Sequence, residues 1–476
     1  MYPIQILCPQ EQQSSNKLHI AVLFLFFFFF IGCDENGEIK DDIKDRPIQT
    51  SFNINDFNSA IDCQNCHPNH YQEWSASMHA YAMKDPVWLS LQRQEHAVHN
   101  AIGIDLDDFC VQCHSPIASL TNAITNHENF TSVELNDLPI QIQEGVTCDA
   151  CHMITHFPEP MNIQKGEQLF ETIDFKMYSD GTKYGTISDP QENEFHASEY
   201  HAGYDKSQLC QNCHNLSVDG MDAEVTQFEW EGSAFEAMGS ECQTCHMPIY
   251  EGQAARGGPY RENLHRHYFP GIDAQLNTNS PDFGLVTAIE DLLEGSAEIN
   301  FFEELPDTIS ASEPLSFNII VSNNAGHNFP SGTTFTRQLW LQVIATLSGD
   351  TVFTSGLLDE NKDISDFYVD PNRDVDPQLN VFNTVLYNTD GDSGLLNVGV
   401  EDMAWMSDYT LPVSGSRTVN YAFELPAGQS GDLAIATRLR FRSFPPFYLR
   451  FLGLDDEADR LPIFEIDSES TSVIVQ

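Results

Sequence analysis

Five Cys-x-x-Cys-His segments constrain this chain more than any other feature. They are Cys63/Cys66/His67, Cys110/Cys113/His114, Cys148/Cys151/His152, Cys210/Cys213/His214 and Cys242/Cys245/His246. Two thiols followed at once by an imidazole form the attachment signal of a c-type haem. The two intervening residues let one helical turn present both sulfurs to the two vinyl groups of a single haem. The adjacent His then offers its imidazole to the iron from the same side. Zinc sites also use Cys-x-x-Cys pairs, but they assemble pairs of pairs and need no His after each one. Disulfides and redox dithiols have no use for that His either. The expected cofactors are therefore five c-type haems, anchored by the ten Cys and ligated proximally by the five motif His.

The chain carries 12 Cys, so only Cys8 and Cys33 stand outside the motifs. Both belong to an N-terminal segment of different character. Ile20 to Ile31 is an unbroken apolar run, with Lys17 just upstream. As a helix it would rise about 18 Å, too short for a bilayer core of about 30 Å. It fits the apolar region of a secretory signal, and Phe30-Ile31-Gly32-Cys33 looks like a bacterial lipobox whose Cys is lipidated. Phe30 departs from the usual Leu, and Glu11 offsets Lys17; the alternative for Cys33 is an ordinary residue beside a signal peptidase site. Residues 1–32 are read as a lipoprotein signal peptide and 33–50 as an acidic tether. Export to the periplasm or cell surface, with a lipid anchor in a bacterial membrane, agrees with the extracytoplasmic setting that covalent haem attachment requires.

Net charge is −49. Nucleic acid would be repelled and is excluded as a partner. Basic partners would be attracted, although a solvation habit of a salt-adapted organism explains the charge equally well.

Residues 51–280 are read as a pentahaem domain, mostly helical and coil. It holds every motif, and its best helical stretch is Tyr71–Ala82, continuing weakly from Pro86 to Asn100. The motif spacing is irregular, which argues against a solenoid. Haem macrocycles would fill a core that the apolar pattern leaves poor. Beyond a boundary between 271 and 300 the texture changes. Leu315, Phe317, Ile319 and Val321 alternate with polar residues, as do Val419, Tyr421, Phe423 and Leu425, and Leu433, Ile435, Leu439 and Phe441 with Thr437 interrupting. Turn signals such as Ser348-Gly349-Asp350 and Ser414-Gly415-Ser416 separate these runs. Residues 285–476 are thus read as an all-β sandwich domain, and the chain as multidomain. Asp390-Gly391-Asp392-Ser393-Gly394 lacks the glycine of a calcium loop's sixth position and reads as a solvated hairpin turn.

A haem iron dedicated to electron transfer needs a sixth ligand, usually His or Met. Eleven further His lie outside the motifs and the signal: His70, His79, His96, His99, His127, His156, His196, His201, His265, His267 and His327. His79 follows the first motif among Trp74, Met78 and Met83. His196 and His201 closely precede the fourth motif, and His267 shortly follows the fifth. His327 alone stands in the β half, in a loop bounded by Gly326, Pro330 and Gly332 that can push an imidazole into a neighbouring domain. The distal candidates are His79, His99, His196, His267 and His327. Each taken singly has a bland alternative, a surface or loop histidine.

Several segments resemble multihaem c-type cytochromes of the group containing the nitrification tetrahaem cytochrome and hydroxylamine oxidoreductase. They are Cys63–His67 followed by Trp74, Ser77 and His79; Gly145-Val146-Thr147-Cys148 through His152; Cys242 through His246-Met247-Pro248; and the His327 loop before Arg337 and Trp340. The resemblance implies closely packed haems with bis-His ligation and an appended β-sandwich. No Cys-x-x-Cys-Lys, the mark of the catalytic haem in pentahaem nitrite reductases, is present.

The favoured function is electron transfer with other redox proteins. The alternative is a multihaem oxidoreductase acting on a small nitrogen or sulfur compound at one open haem, with Tyr200, Tyr204, Arg256 and Arg266 available to manage protons and charge. No catalytic residue is assigned. A surface role for the sandwich, and assembly of copies into a homo-oligomer or haem-lined filament, stay open.

Overall fold

The structure, a computed structural model, describes residues 48–49, 51–102, 110–124, 135–156, 177–178, 180–218, 221–276, 281–365, 375–395 and 403–476. The apolar run, Cys33 and His127 lie outside the described residues, and the helix holding His96 and His99 is described at those positions through its backbone alone. No helix among the described residues is long and apolar enough to cross a membrane. Residues 45–476 form one compact unit.

The motif-bearing half is built from short helices. Proline opens three of them, Pro68–Ala76, Pro86–Ile102 and Pro116–Leu120, where its missing N–H costs nothing. The stretch expected as one helix over Tyr71–Ala82 is broken at Ser77. That residue is extended (ψ 162°), its hydroxyl donates to Trp74 O at 2.7 Å, and it accepts from Ala80 N at 3.4 Å, capping Met78–Tyr81. Helices of four or five residues are marginal in water and persist only where tertiary packing holds them. Four two-stranded ribbons interleave with them: 48–49 with 177–178, 183–185 with 198–200, 216–218 with 221–224, and 249–253 with 260–265. Apolar alternation does not mark them in the sequence, since pieces this short have too few residues to show a period.

The other half is β-rich. Strands β1 (Ala297–Phe301), β2 (Leu315–Asn323), β3 (Gln338–Leu347), β4 (Asp350–Ser355), β5 (Ser416–Phe423), β6 (Gly431–Arg442) and β7 (Phe464–Val475) carry most of it. β5, β2 and β1 form one antiparallel sheet, with Phe317 opposite Tyr421 and Val321 opposite Ile299. β7, β6, β3 and β4 lie side by side in a second, extended by 308–309 and 381–382. The inward residues of both sheets, Phe317, Ile319 and Tyr421 against Leu341, Val343, Ile435 and Leu439, belong to one buried apolar cluster. Thr437, which interrupts the β6 alternation, is buried opposite Val343 and satisfies its hydroxyl on Glu469 O at 3.0 Å.

The two halves meet without a spacer. A helix, Leu285–Leu293, lays Leu285, Ile289 and Leu293 on the sheet core at helical spacing. Ala76 and Ile272 of the motif-bearing half are buried in that same cluster. Leu276 and Val87 pack on Leu449 and Ala458 near the C-terminus. Arg337 grips Asp273 through two N–H···O bonds of 2.9 and 2.7 Å.

Candidate functional site

Each motif folds as one helical turn. The His N–H returns to the first Cys carbonyl in Cys63–His67 (2.8 Å), Cys110–His114 (3.2 Å) and Cys210–His214 (3.0 Å), and Cys148–His152 and Cys242–His246 are helices outright. No disulfide joins any of the ten motif Cys. Cysteines of different motifs lie beside one another: Cys63 with Cys148, Cys113 with Cys213, and Cys210 with Cys242. The first motif thus adjoins the third, and the fourth adjoins both the second and the fifth.

Four motif imidazoles are oriented in the same way. Nδ1 donates to a main-chain carbonyl from elsewhere in the fold: His67 to Ala254 (2.7 Å), His114 to Ala82 (2.9 Å), His152 to Tyr184 (2.7 Å) and His246 to Pro270 (2.7 Å). A neutral imidazole donating from Nδ1 carries its lone pair on Nε2, the arrangement a metal-ligating His takes. Burial holds three of these rings, His114, His152 and His246, neutral. Desolvation pushes His114 and His246 down to about 4 and lowers His152. The fifth, His214, is half-exposed, with Nδ1 3.9 Å from the Glu224 carboxylate.

Opposite four of the five stands a second imidazole at a narrow range of ring-centre distances. His67 faces His196 at 6.3 Å, His152 faces His267 at 6.2 Å, His214 faces His79 at 6.3 Å and His246 faces His327 at 6.1 Å. One metal bonded to an imidazole nitrogen on each side, at about 2 Å per bond and about 1 Å more to each ring centre, requires about 6 Å between centres. The spacing fits an iron shared by each pair. The second rings are buried and neutral where they are deepest. Desolvation takes His79 to about 3, His267 well below the usual imidazole range, and His327 lower as well. His267 and His327 also donate from Nδ1 to carbonyls, of His265 (2.9 Å) and Asn328 (2.8 Å).

His70 also lies 6.3 Å from His67, but its Nε2 is engaged by the Tyr250 hydroxyl at 2.8 Å. His114 is covered by the indole of Trp88, stacked face to face at 4.3 Å and 13°. The side chain of His99 lies outside the described residues, so no described imidazole is placed opposite His114. His201 Nδ1 accepts from Gly203 N, and His265 donates from Nδ1 to Met247 O with Nε2 3.8 Å from the Asp205 carboxylate. Of the residues considered for acid–base work, Tyr204 donates to the carbonyls of Cys151 (2.6 Å) and Ile154 (3.0 Å), and Arg266 is paired with Glu73 and lies over the Tyr250 ring. Arg256 offers its main-chain N–H to Cys66 O at 2.7 Å, and Tyr200 is exposed.

The family model for "Cytochrome c554 and c-prime" matches residues 62–153. Among solved structures, a penta-heme cytochrome c552 from Thermochromatium tepidum aligns at a TM-score of 0.57 and 19% identity, over 88% of this chain and 99% of that one. In fold, the chain is similar to that penta-heme cytochrome. Such coverage extends the likeness across the β-rich half as well as the motif-bearing one. The sporulation control protein Spo0M from Bacillus subtilis (TM-score 0.17, 9% identity, 38% of this chain and 50% of that one) is too distant to enter the argument. So is the CARDB domain of the PF1109 protein from Pyrococcus furiosus (TM-score 0.16, 10% identity, 38% and 86%). No curated protein matches the chain.

Some functional features escape sequence reasoning. The carbonyls of Ala254, Ala82, Tyr184 and Pro270 that orient the motif His carry no side-chain signal. Tyr204, weighed as a proton donor, lies against the His152 ring at 5.7 Å and 15°. Glu229, in the short helix Thr226–Trp230, reaches the His327 loop, and burial raises its carboxyl to about 7.

Proposed function

We propose that this chain is an electron carrier holding five covalently attached haems. Cys63/Cys66, Cys110/Cys113, Cys148/Cys151, Cys210/Cys213 and Cys242/Cys245 would form the thioethers. His67, His114, His152, His214 and His246 would be the proximal ligands. His196, His267, His79 and His327 would close four irons from the far side, in the pairings given above, and His99 is the candidate for the haem of His114. Bound haem supplies reversible one-electron chemistry. The protein's part is to keep ten thiols out of disulfides, aim the imidazoles, and pack the motifs side by side. The observation that carries the reading is the recurrence of imidazole pairs at 6.1–6.3 Å across four motifs. A carrier requires closed, six-coordinate irons that change little on reduction, and paired imidazoles provide this.

Export and a lipid anchor at Cys33 belong to the same proposal, as do other redox proteins as partners. Cys33→Ser would move the protein from the membrane to the soluble fraction. The deciding experiment is electron paramagnetic resonance of the oxidised holoprotein, with haem content counted beside it. Five haems per chain, all low-spin, is the expected result. A high-spin fraction near about one haem in five would overturn the pure-carrier reading and point to an oxidoreductase with an open iron.

A further inference from the structure

We propose that Glu229 is a positioning residue for His327, clamping the ligand-bearing loop of the β-rich half onto the fifth motif. This inference rests on the reading of His327 as the distal partner of His246. The Glu229 carboxylate accepts three hydrogen bonds from that loop: from Asn328 N at 3.2 Å, Asn328 Nδ2 at 3.0 Å and Ser331 Oγ at 2.6 Å. Thr226, one helical turn earlier, adds a bond to Ser331 Oγ at 2.6 Å. The clamp thus takes hold immediately after His327 and again three residues on.

The loop's other attachments come from its own half. Asn323 Nδ2 donates to His327 O at 2.8 Å, and Asn328 Oδ1 accepts from Val413 N at 3.0 Å. These fix the loop's shape but not its place against the motif-bearing half. Glu229 and Thr226 stand in that half, only a short way before Cys242 in sequence. The reach to His246 is therefore set by a carboxylate that no motif announces. Three hydrogen bonds converging on one carboxyl group fix a loop with little play. Gly332, at φ 80°, lets the loop pass where a Cβ would stand 2.8 Å from the Glu224 carboxylate, so the approach is close.

The test compares Glu229→Ala, Glu229→Gln, His327→Ala and a core control, Ile319→Val, in the purified holoprotein. The readouts are the high-spin fraction in the oxidised state and carbon monoxide binding in the reduced state. His327→Ala should open about one-fifth of the haem. Glu229→Ala should open at least about half as much, since the loop loses all three bonds. Glu229→Gln should open far less, because its amide oxygen can still accept from Asn328 N and Ser331 Oγ. Ile319→Val should lower the melting temperature and open none. If His327→Ala opens an iron while Glu229→Ala stays as low-spin as Ile319→Val, Glu229 is merely structural and the proposal falls. If His327→Ala itself stays fully low-spin, the ligand reading falls and takes this proposal with it.

Discussion

Gly145 stands where a side chain could not. Its φ is 72°, and a Cβ there would lie 2.5 Å from the carbonyl oxygen of His79. The next residue uses that approach, since Val146 N donates to His79 O at 3.0 Å. Gly145→Ala should cost about 1–2 kcal/mol for the left-handed conformation alone, and more for the clash. The strain falls on the main chain of a proposed haem ligand. A lowered melting temperature should therefore come with a shifted redox potential or a new high-spin signal, read by potentiometry on the holoprotein. A melting shift with an unchanged haem spectrum would show that His79 does not depend on this contact. Asp85 poses a different question. It caps the helix Pro86–Ile102, accepting from Val87 N at 3.0 Å, and desolvation raises its carboxyl to about 6. The folded state therefore holds this proton more tightly than the unfolded chain does. The associated stability is full below about pH 4 and is lost as pH rises through about 6. Asp85→Asn keeps an acceptor for Val87 N and has no charge to bury. It should match the parent near pH 4 and exceed it by about 3 kcal/mol at pH 7, measured as melting temperature across that range.

At the scale of elements, β3 tests how far the two kinds of core are separable. Leu341 is fully buried, pairs with Leu439, and lies in the apolar cluster between the sheets. Leu341→Ala should cost about 2–5 kcal/mol and leave the haem spectrum untouched. A change in spin state would show that the sheet packing reaches the His327 loop, which lies between β2 and β3. The strands β2, β5 and β6 were legible because each buries one face, so apolar residues recur at every second position. β3 was not, because Leu339, Trp340, Leu341, Gln342 and Val343 are buried in succession and the alternation vanishes. The motif helices were legible because chemistry fixes their spacing. The break at Ser77 was hidden, because a serine inside an apolar run reads as tolerated until its hydroxyl is seen to cap. The choice of histidines as candidates came from their number and placement. Which ring would face which could not be read, because each pair joins segments distant in sequence, and a local pattern carries no record of how a chain folds back. The carbonyls that aim the motif His were hidden for the same reason.

At the scale of the whole molecule, apolar burial is distributed unevenly. The sheets share one large cluster, whereas the motif-bearing half has several small ones, such as Met83, Trp88, Val111, Ala118, Ile124 and Ile142, or Phe57, Ile117, Ala150, Met153, Ile154 and Met177. Clusters that small cannot offset the conformational entropy of so many ordered loop residues, at about 1–2 kcal/mol each for the backbone. Covalently held haem is the apolar mass that would make up the difference. A chain produced without haem attachment should therefore lose the first half and keep the second. Limited proteolysis of that haem-free protein should leave a resistant C-terminal fragment beginning near the Leu285–Leu293 helix, identifiable by mass. Digestion of the β-rich half at the same rate would show the opposite dependence. The anchors from the first half, Ala76 and Ile272 in the sheet core and Asp273 on Arg337, would then be what the sheets need to hold together.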